Sequence, residues 1–155
     1  MPKVRFDHVA LLVRDLKKSV DDYRSLLSIL DPVNSSEIVW EDGQENGFKY
    51  QAATFVSKNG QTVFQLIQSE NPKDQERLRT HGEGIHHLEF CAPDVREVQK
   101  QLQSANIPVV SEKTFVSQSI PWQEFVLVSP KKTHGVLVKI ATQYRVMNGK
   151  WTPDE

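Results

Sequence analysis

Phe6-Asp7-His8-Val9-Ala10-Leu11-Leu12-Val13-Arg14-Asp15-Leu16 recurs without a gap as Ile85-His86-His87-Leu88-Glu89-Phe90-Cys91-Ala92-Pro93-Asp94-Val95. The alignment sets His8 on His87 and Asp15 on Asp94. An internal repeat fixes architecture before any single residue is interpreted. Here it implies two equivalent modules and a site made jointly by both.

Working outward from the repeat, Val4 to Val13 is rich in β-branched and apolar residues, and Asp15 can cap a helix by accepting a backbone N–H. Leu16, Val20, Tyr23 and Leu27 then recur at helical spacing, with Lys17, Lys18, Asp21, Asp22 and Arg24 on the other side. The second copy repeats this grammar. A strand runs from Ile85 to Ala92, Pro93 biases its predecessor toward extended geometry, Asp94 caps, and Val95, Val98 and Leu102 form an apolar stripe.

Further strands follow each helix. Ala52 to Ser57 and Thr62 to Gln68 flank Lys58-Asn59-Gly60-Gln61, whose Asn-Gly favours a tight hairpin. Glu124 to Val128 and Gly135 to Ala141 flank Ser129 to His134. Asp42-Gly43-Gln44-Glu45-Asn46-Gly47 is polar and glycine-bearing and reads as a loop. The fold expected is α+β, with two tandem βαβββ modules whose curved mixed sheets enclose a cavity. The first module takes residues 1–69, a linker with a short helix from Pro72 to Thr80 takes 70–83, and the second module takes 84–143. A C-terminal extension, 144–155, carries Asn148-Gly149 and reads as an added hairpin.

Composition excludes several classes. The 155 residues are 38% hydrophobic and 25% charged with a formal charge of -1, which fits one globular unit and provides no global field for nucleic acid. No apolar run approaches the ~20 residues that span a bilayer, and Met1-Pro2-Lys3-Val4 lacks the apolar segment of a secretory signal, so a cytoplasmic protein is expected. The single cysteine, Cys91, excludes an intrachain disulfide and a multi-thiolate zinc site, and its apolar neighbours suit an inert thiol.

Side chains two apart on a strand point the same way. Phe6, His8, Ala10 and Leu12 should share one face, as should Ile85, His87, Glu89 and Cys91, with His86 pointing away. Thr62 to Ile67 aligns with Val136 to Ile140, pairing Gln65 with Lys139. Polar residues therefore occupy four equivalent strand positions: His8, Gln65, His87 and Lys139. Buried unpaired, such groups cost several kcal/mol, so they call for a partner, water, a ligand or a metal.

Asp7-His8-Val9-Ala10, Val13-Arg14-Asp15-Leu16, Gly84-Ile85-His86-His87-Leu88 and Ser129-Pro130-Lys131 followed by Gly135-Val136-Leu137-Val138 together resemble the vicinal oxygen chelate superfamily, which includes glyoxalase I, bleomycin-resistance proteins and extradiol dioxygenases. Within it the chain is most similar to methylmalonyl-CoA epimerase, over roughly residues 4 to 143. The resemblance implies one metal ligand from the first and last strands of each module: His8, Gln65 and His87, with the fourth, a glutamate in the family pattern, falling on Lys139. It also implies a small-molecule substrate or ligand and a homodimer.

Lysine at that position matters because an ammonium has no lone pair and repels a dication. Three arrangements are open. Glu89, on the face of His87, could replace the missing carboxylate; Lys139 could turn outward and leave water in its place; or a Lys139–Glu89 ion pair could leave the cavity without metal. The function expected is enolisation or proton transfer on a small carbonyl or acyl-CoA compound, with Lys139 and Glu89 as catalytic candidates and Lys139 as charge stabiliser or base. The alternative is a non-catalytic small-molecule-binding protein of the bleomycin-resistance type, which loss of the carboxylate ligand favours. Glu41 and Glu45 fall where the resemblance looks for a carboxylate base, but read as solvated loop acids.

Overall fold

Two strands carry the repeat and meet at the centre of the molecule. In the computed structural model, which describes residues 3–33 and 37–154, β1 (Arg5–Leu12) lies antiparallel to β5 (Gly84–Ala92). Met1 and Pro2, read above for a leader, and Glu155 lie outside the described residues.

Each repeated strand leads into a capped helix. Asp15 accepts from Lys18 N at 3.0 Å to start α1 (Leu16–Leu30). The first module continues through β2 (Glu37–Glu45), β3 (Phe48–Val56) and β4 (Thr62–Ser69). A linker helix α2 (Pro72–His81) starts at Asn71, with proline in the first turn where its missing N–H costs nothing. After β5, Asp94 accepts from Glu97 N at 3.0 Å to start α3 (Val95–Ser104). The second module ends with β6 (Phe115–Val116), β7 (Glu124–Val128) and β8 (Leu137–Thr142). A hairpin of β9 (Tyr144–Met147) and β10 (Lys150–Pro153) follows.

The sheet order is β2-β3-β4-β1-β5-β8-β7-β6, so both modules share one eight-stranded mixed sheet. Helices α1 and α3 cover one side of it. Leu16 and Val20 of α1 pack on Val13, Ala53, Phe55 and Leu66, while Val95 and Val98 of α3 pack on Ala92, Val126, Val128 and Ile140. Burying each such side chain contributes roughly 1.5–3 kcal/mol, and this apolar layer leaves the opposite, concave face for polar groups. Among the described residues, no helix is long and apolar enough to cross a membrane.

One expectation changes. Asp42 to Glu45 are not loop but the end of β2, paired with β3 as far as Glu45 opposite Phe48. The turn is confined to Asn46 and Gly47, both at positive φ (52° and 80°), the backbone of a tight two-residue hairpin. Polar composition suggested a loop because the outer half of this hairpin is exposed.

The C-terminal hairpin docks on the first module. Gly60, at φ 80°, approaches so closely that a Cβ there would meet the Val146 carbonyl at 2.3 Å, and Val146 N donates to Gly60 O at 2.8 Å. Val146 and Trp151 pack with Val39 and Val56. Tyr144 is thereby buried beneath the central strands.

Candidate metal and active centre

The β1–β5 ladder is irregular at two places. Phe6 pairs with Phe90 but His8 with Glu89, leaving Asp7 as an extra residue on β1. Ala10 pairs with His87 but Leu11 with Ile85, leaving His86 extra on β5. Asp7 and His86 are equivalents in the repeat, so the same bulge occurs in both copies. A bulge breaks strict alternation and re-aims side chains. Asp7 and His8 are consequently both buried, at 6% and 1% exposure, while Phe6 is 50% exposed and does not share the face of His8. His86 likewise does not point away: its Nδ1 lies 2.8 Å from Nδ1 of His87.

The two histidines meet across the ladder, with ring centroids 5.6 Å apart. Glu89 Oε2 lies 3.7 Å from His8 Nε2, 3.4 Å from His87 Nε2 and 3.5 Å from Lys139 Nζ. Gln65 is paired with Ala10 and Lys139 with Glu89, the register that the repeat alignment expects. Gln65 Nε2 donates to Thr54 Oγ1 at 3.0 Å, which leaves Oε1 as the atom that can accept a hydrogen bond or ligate. Lys139 Nζ also sits 4.7 Å over the Phe125 ring.

Asp7 fixes His8. Its Oδ2 accepts from His8 Nδ1 at 2.8 Å and from the Tyr144 hydroxyl at 2.9 Å, and the carboxylate also binds Arg5 and Thr62. A neutral His8 that donates through Nδ1 carries its lone pair on Nε2. Tyr144 further lies 3.3 Å from Glu89 Oε1, donating toward both carboxylates.

The electrostatics divide the groups. Burial, against only partial help from Glu89, pushes His87 down to about 3, so its ring is neutral at ordinary pH. Burial opposes ionisation of Glu89, but Lys139 and His8 outweigh it and hold the carboxyl well below its usual range. Lys139 is likewise disfavoured by burial, yet Glu89, Glu45 and Glu41 together raise its proton affinity. Burial pushes Cys91 far up, consistent with an inert thiol.

A metal can be tested against this donor set. His8 Nε2 and His87 Nε2 are buried side-chain atoms without a hydrogen-bond partner. Such a group costs about 1–3 kcal/mol to bury unsatisfied. With Glu89 they form a cluster whose donor atoms lie within 4.8 Å of one another. Two imidazoles and one carboxylate suit a divalent transition metal. A second cluster, Asp7, Glu89 and Cys91, is less suited, because Asp7 is already engaged by Arg5, Thr62 and Tyr144.

Glu41 is more than a loop acid. On β2 its Oε1 accepts from the Tyr50 hydroxyl at 2.7 Å, and burial raises its proton affinity despite that bond. Ser119 Oγ lies 3.1 Å from the same hydroxyl, placed to donate to its oxygen, and Tyr50 itself resists ionisation through burial and the neighbouring Glu41. The signal in the sequence was the alternation of Val39, Glu41 and Gly43, masked by the polar residues around it. Glu124, by contrast, is a structural partner, bonded to Arg96 at 2.8 Å and Thr114 at 2.9 Å.

A family model described as the Glyoxalase/Bleomycin resistance protein/Dioxygenase superfamily matches residues 5–116. Comparison with curated proteins finds no match. Among solved structures, a variant of Streptomyces coelicolor methylmalonyl-CoA epimerase in complex with 2-nitronate-propionyl-CoA is 23% identical, with TM-score 0.68 over 90% of this chain and 96% of that chain. Methylmalonyl-CoA epimerase from Mycobacterium tuberculosis is 20% identical, with TM-score 0.66 over 88% and 86%. A hypothetical protein from Bacillus halodurans C-125 is 13% identical, with TM-score 0.70 over 94% and 99%. At these identities the likeness is one of fold.

Proposed function

Since the chain belongs to the Glyoxalase/Bleomycin resistance protein/Dioxygenase superfamily, we propose that it enolises a small carbonyl or acyl-CoA compound at a divalent-metal centre on His8, His87 and Glu89. The observation that carries this reading is the pair of unpartnered Nε2 atoms converging with the Glu89 carboxylate. Glu89 thereby takes the place of the glutamate that Lys139 displaces, and Gln65 Oε1 is a fourth donor for metal or substrate. A bound divalent ion would supply Lewis-acid polarisation of the substrate carbonyl oxygen.

The protein's own groups do the rest. Glu41, with Oε1 held by Tyr50 and its proton affinity raised by burial, takes the α-proton on Oε2 as general base. Lys139, kept protonated by its acidic neighbours, stabilises the negative charge that develops on the substrate and does not serve as the base. A cavity of about 1140 Å³ adjoins the site at Tyr50. Arg14, Lys49 and Arg79 line it, and these cations suit the phosphates of an acyl-CoA tail.

A second reading is favoured by one distance, the 3.5 Å between Lys139 Nζ and Glu89 Oε2. That pair neutralises the carboxylate without a metal and would leave a non-catalytic small-molecule-binding protein. Incubation with propionyl-CoA and methylmalonyl-CoA in D2O, followed by mass spectrometry of the α-carbon, tests the choice. Metal-dependent deuterium incorporation supports the enzyme; no incorporation from any acyl-CoA, with a ligand that still raises the melting temperature, favours the binder.

A further inference from the structure

The linker helix α2 lies outside the repeat, yet its first turn reaches the site. Asp74 Oδ1 is 3.1 Å from His86 Nε2, and His86 Nδ1 is 2.8 Å from His87 Nδ1. Ser69 Oγ donates to Asp74 Oδ2 at 2.6 Å and steadies the carboxylate. An ionised carboxylate only accepts, so His86 donates to it through Nε2. A neutral ring with its proton on Nε2 has its lone pair on Nδ1. Two nitrogens 2.8 Å apart share one proton, and that proton then belongs to His87.

We infer that Asp74 is a positioning residue which, acting through His86, holds His87 in the Nδ1–H tautomer and keeps its Nε2 lone pair directed at the site. His8 reaches the same state by a shorter route, because Asp7 accepts from its Nδ1 directly. The repeat equivalents Asp7 and His86 thus perform one task with different chemistry. A carboxylate is an acceptor by itself, whereas an imidazole is one only when something fixes its tautomer, and α2 supplies that group. Such outer partners set both the orientation and the basicity of a ligating histidine. In the metal-free chain the shorter contact decides the tautomer, 2.8 Å between the two Nδ1 atoms against 3.4 Å from His87 Nε2 to Glu89 Oε2; its effect on metal affinity rests on the function proposed above.

Long-range 1H–15N correlation spectra of the full, metal-free chain with 15N-labelled histidine read the tautomer of each ring. At a pH above the raised titration of His8, the expected result is His8 and His87 protonated on Nδ1 and His86 on Nε2. Asp74→Asn presents an amide N–H to His86 Nε2, and Asp74→Ala presents no acceptor. Either should shift His87 toward the Nε2–H form while His8, held by Asp7, stays unchanged as an internal control. Titration with Zn2+ should then show affinity weakened about 10- to 100-fold. His87 carrying its proton on Nε2 in the parent protein overturns the inference even where a variant fails to fold. So does a His87 tautomer unmoved in both variants. A parent with the expected tautomers that binds no Zn2+ upholds the relay and refutes the metal reading instead.

Discussion

Glu89 stands opposite His8 in the β1–β5 ladder, and it is the repeat equivalent of Ala10, which stands opposite His87. The two halves therefore match in their histidines and differ in what faces them. One half contributes a methyl group and the other a carboxylate, so the centre has a single negative charge between two imidazoles.

Glu89→Gln keeps the shape and removes that charge. Divalent-metal affinity should fall at least about 10-fold, following the loss of an anionic ligand. Lys139 loses its nearest carboxylate, which costs about 3–5 kcal/mol for a fully buried pair; the 19% exposure of the Lys139 side chain and the remaining attraction of Glu45 and Glu41 reduce this to roughly 2 kcal/mol or less. Isothermal titration and urea unfolding read the two effects separately.

Lys139→Glu restores the carboxylate of the family pattern. In metal-free protein it sets two carboxylates side by side and should lower the melting temperature, whereas added Zn2+ should raise it well above that of the metal-loaded parent. Equal melting temperatures for parent and variant in excess Zn2+ would count against a centre beside residue 139.

Glu41→Gln should reduce α-deuterium incorporation by about 10²-fold or more, the loss of a general base. Its metal affinity should stay at the parent value, since Glu41 is not among the donors. A variant that exchanges at the parental rate would remove Glu41 from the mechanism.

The metal-free protein should be most stable near pH 6.5. His87 is pushed down to about 3 from 6.5, so below pH 6.5 the unfolded chain binds a proton that the folded ring does not. Its stabilisation is full above pH 6.5 and falls as the pH drops toward 3. His8 has the opposite sign. Burial opposes its proton, but Glu89 and Asp7 outweigh burial and raise its affinity, so its contribution is full below pH 6.5 and fades as pH rises through the folded value. Asp7 and Glu89, both depressed, add to the acid decline only as pH enters the ordinary carboxylate range. Urea midpoints measured from pH 4 to 9 check this; a midpoint flat between pH 7 and 5 contradicts the burial of a neutral His87.

Tyr144→Phe removes one hydroxyl that donates toward Asp7 and Glu89. Because the acceptors are charged and buried, the loss should be about 1.5–3 kcal/mol, readable by urea denaturation.

Much of this was legible in the sequence, for reasons that can be located. The repeat alignment put Gln65 and Lys139 at matching register because strand pairing preserves spacing along a regular ladder. Asp15 and Asp94 announced their helices because a cap is a local bond. The bulges at Asp7 and His86 were not legible, since alternation assumes a regular ladder and nothing in either strand marks an extra residue. That is why alternation alone sets Phe6 beside His8 and turns His86 away from His87. Glu41 was hidden for another reason: the hairpin tip is polar because it is exposed, and the strand continues through it. The reach of Asp74 to His86 depends on how α2 sits against β5, which only tertiary packing decides.

The β1–β5 ladder joins the two halves of the sheet, and one histidine stands on each of its strands. Any occupant gripped by both rings is therefore a rivet through the seam. Its grip would be felt as resistance to prising the halves apart, so that filling the pocket and welding a duplicated chain into one cooperative body become the same event.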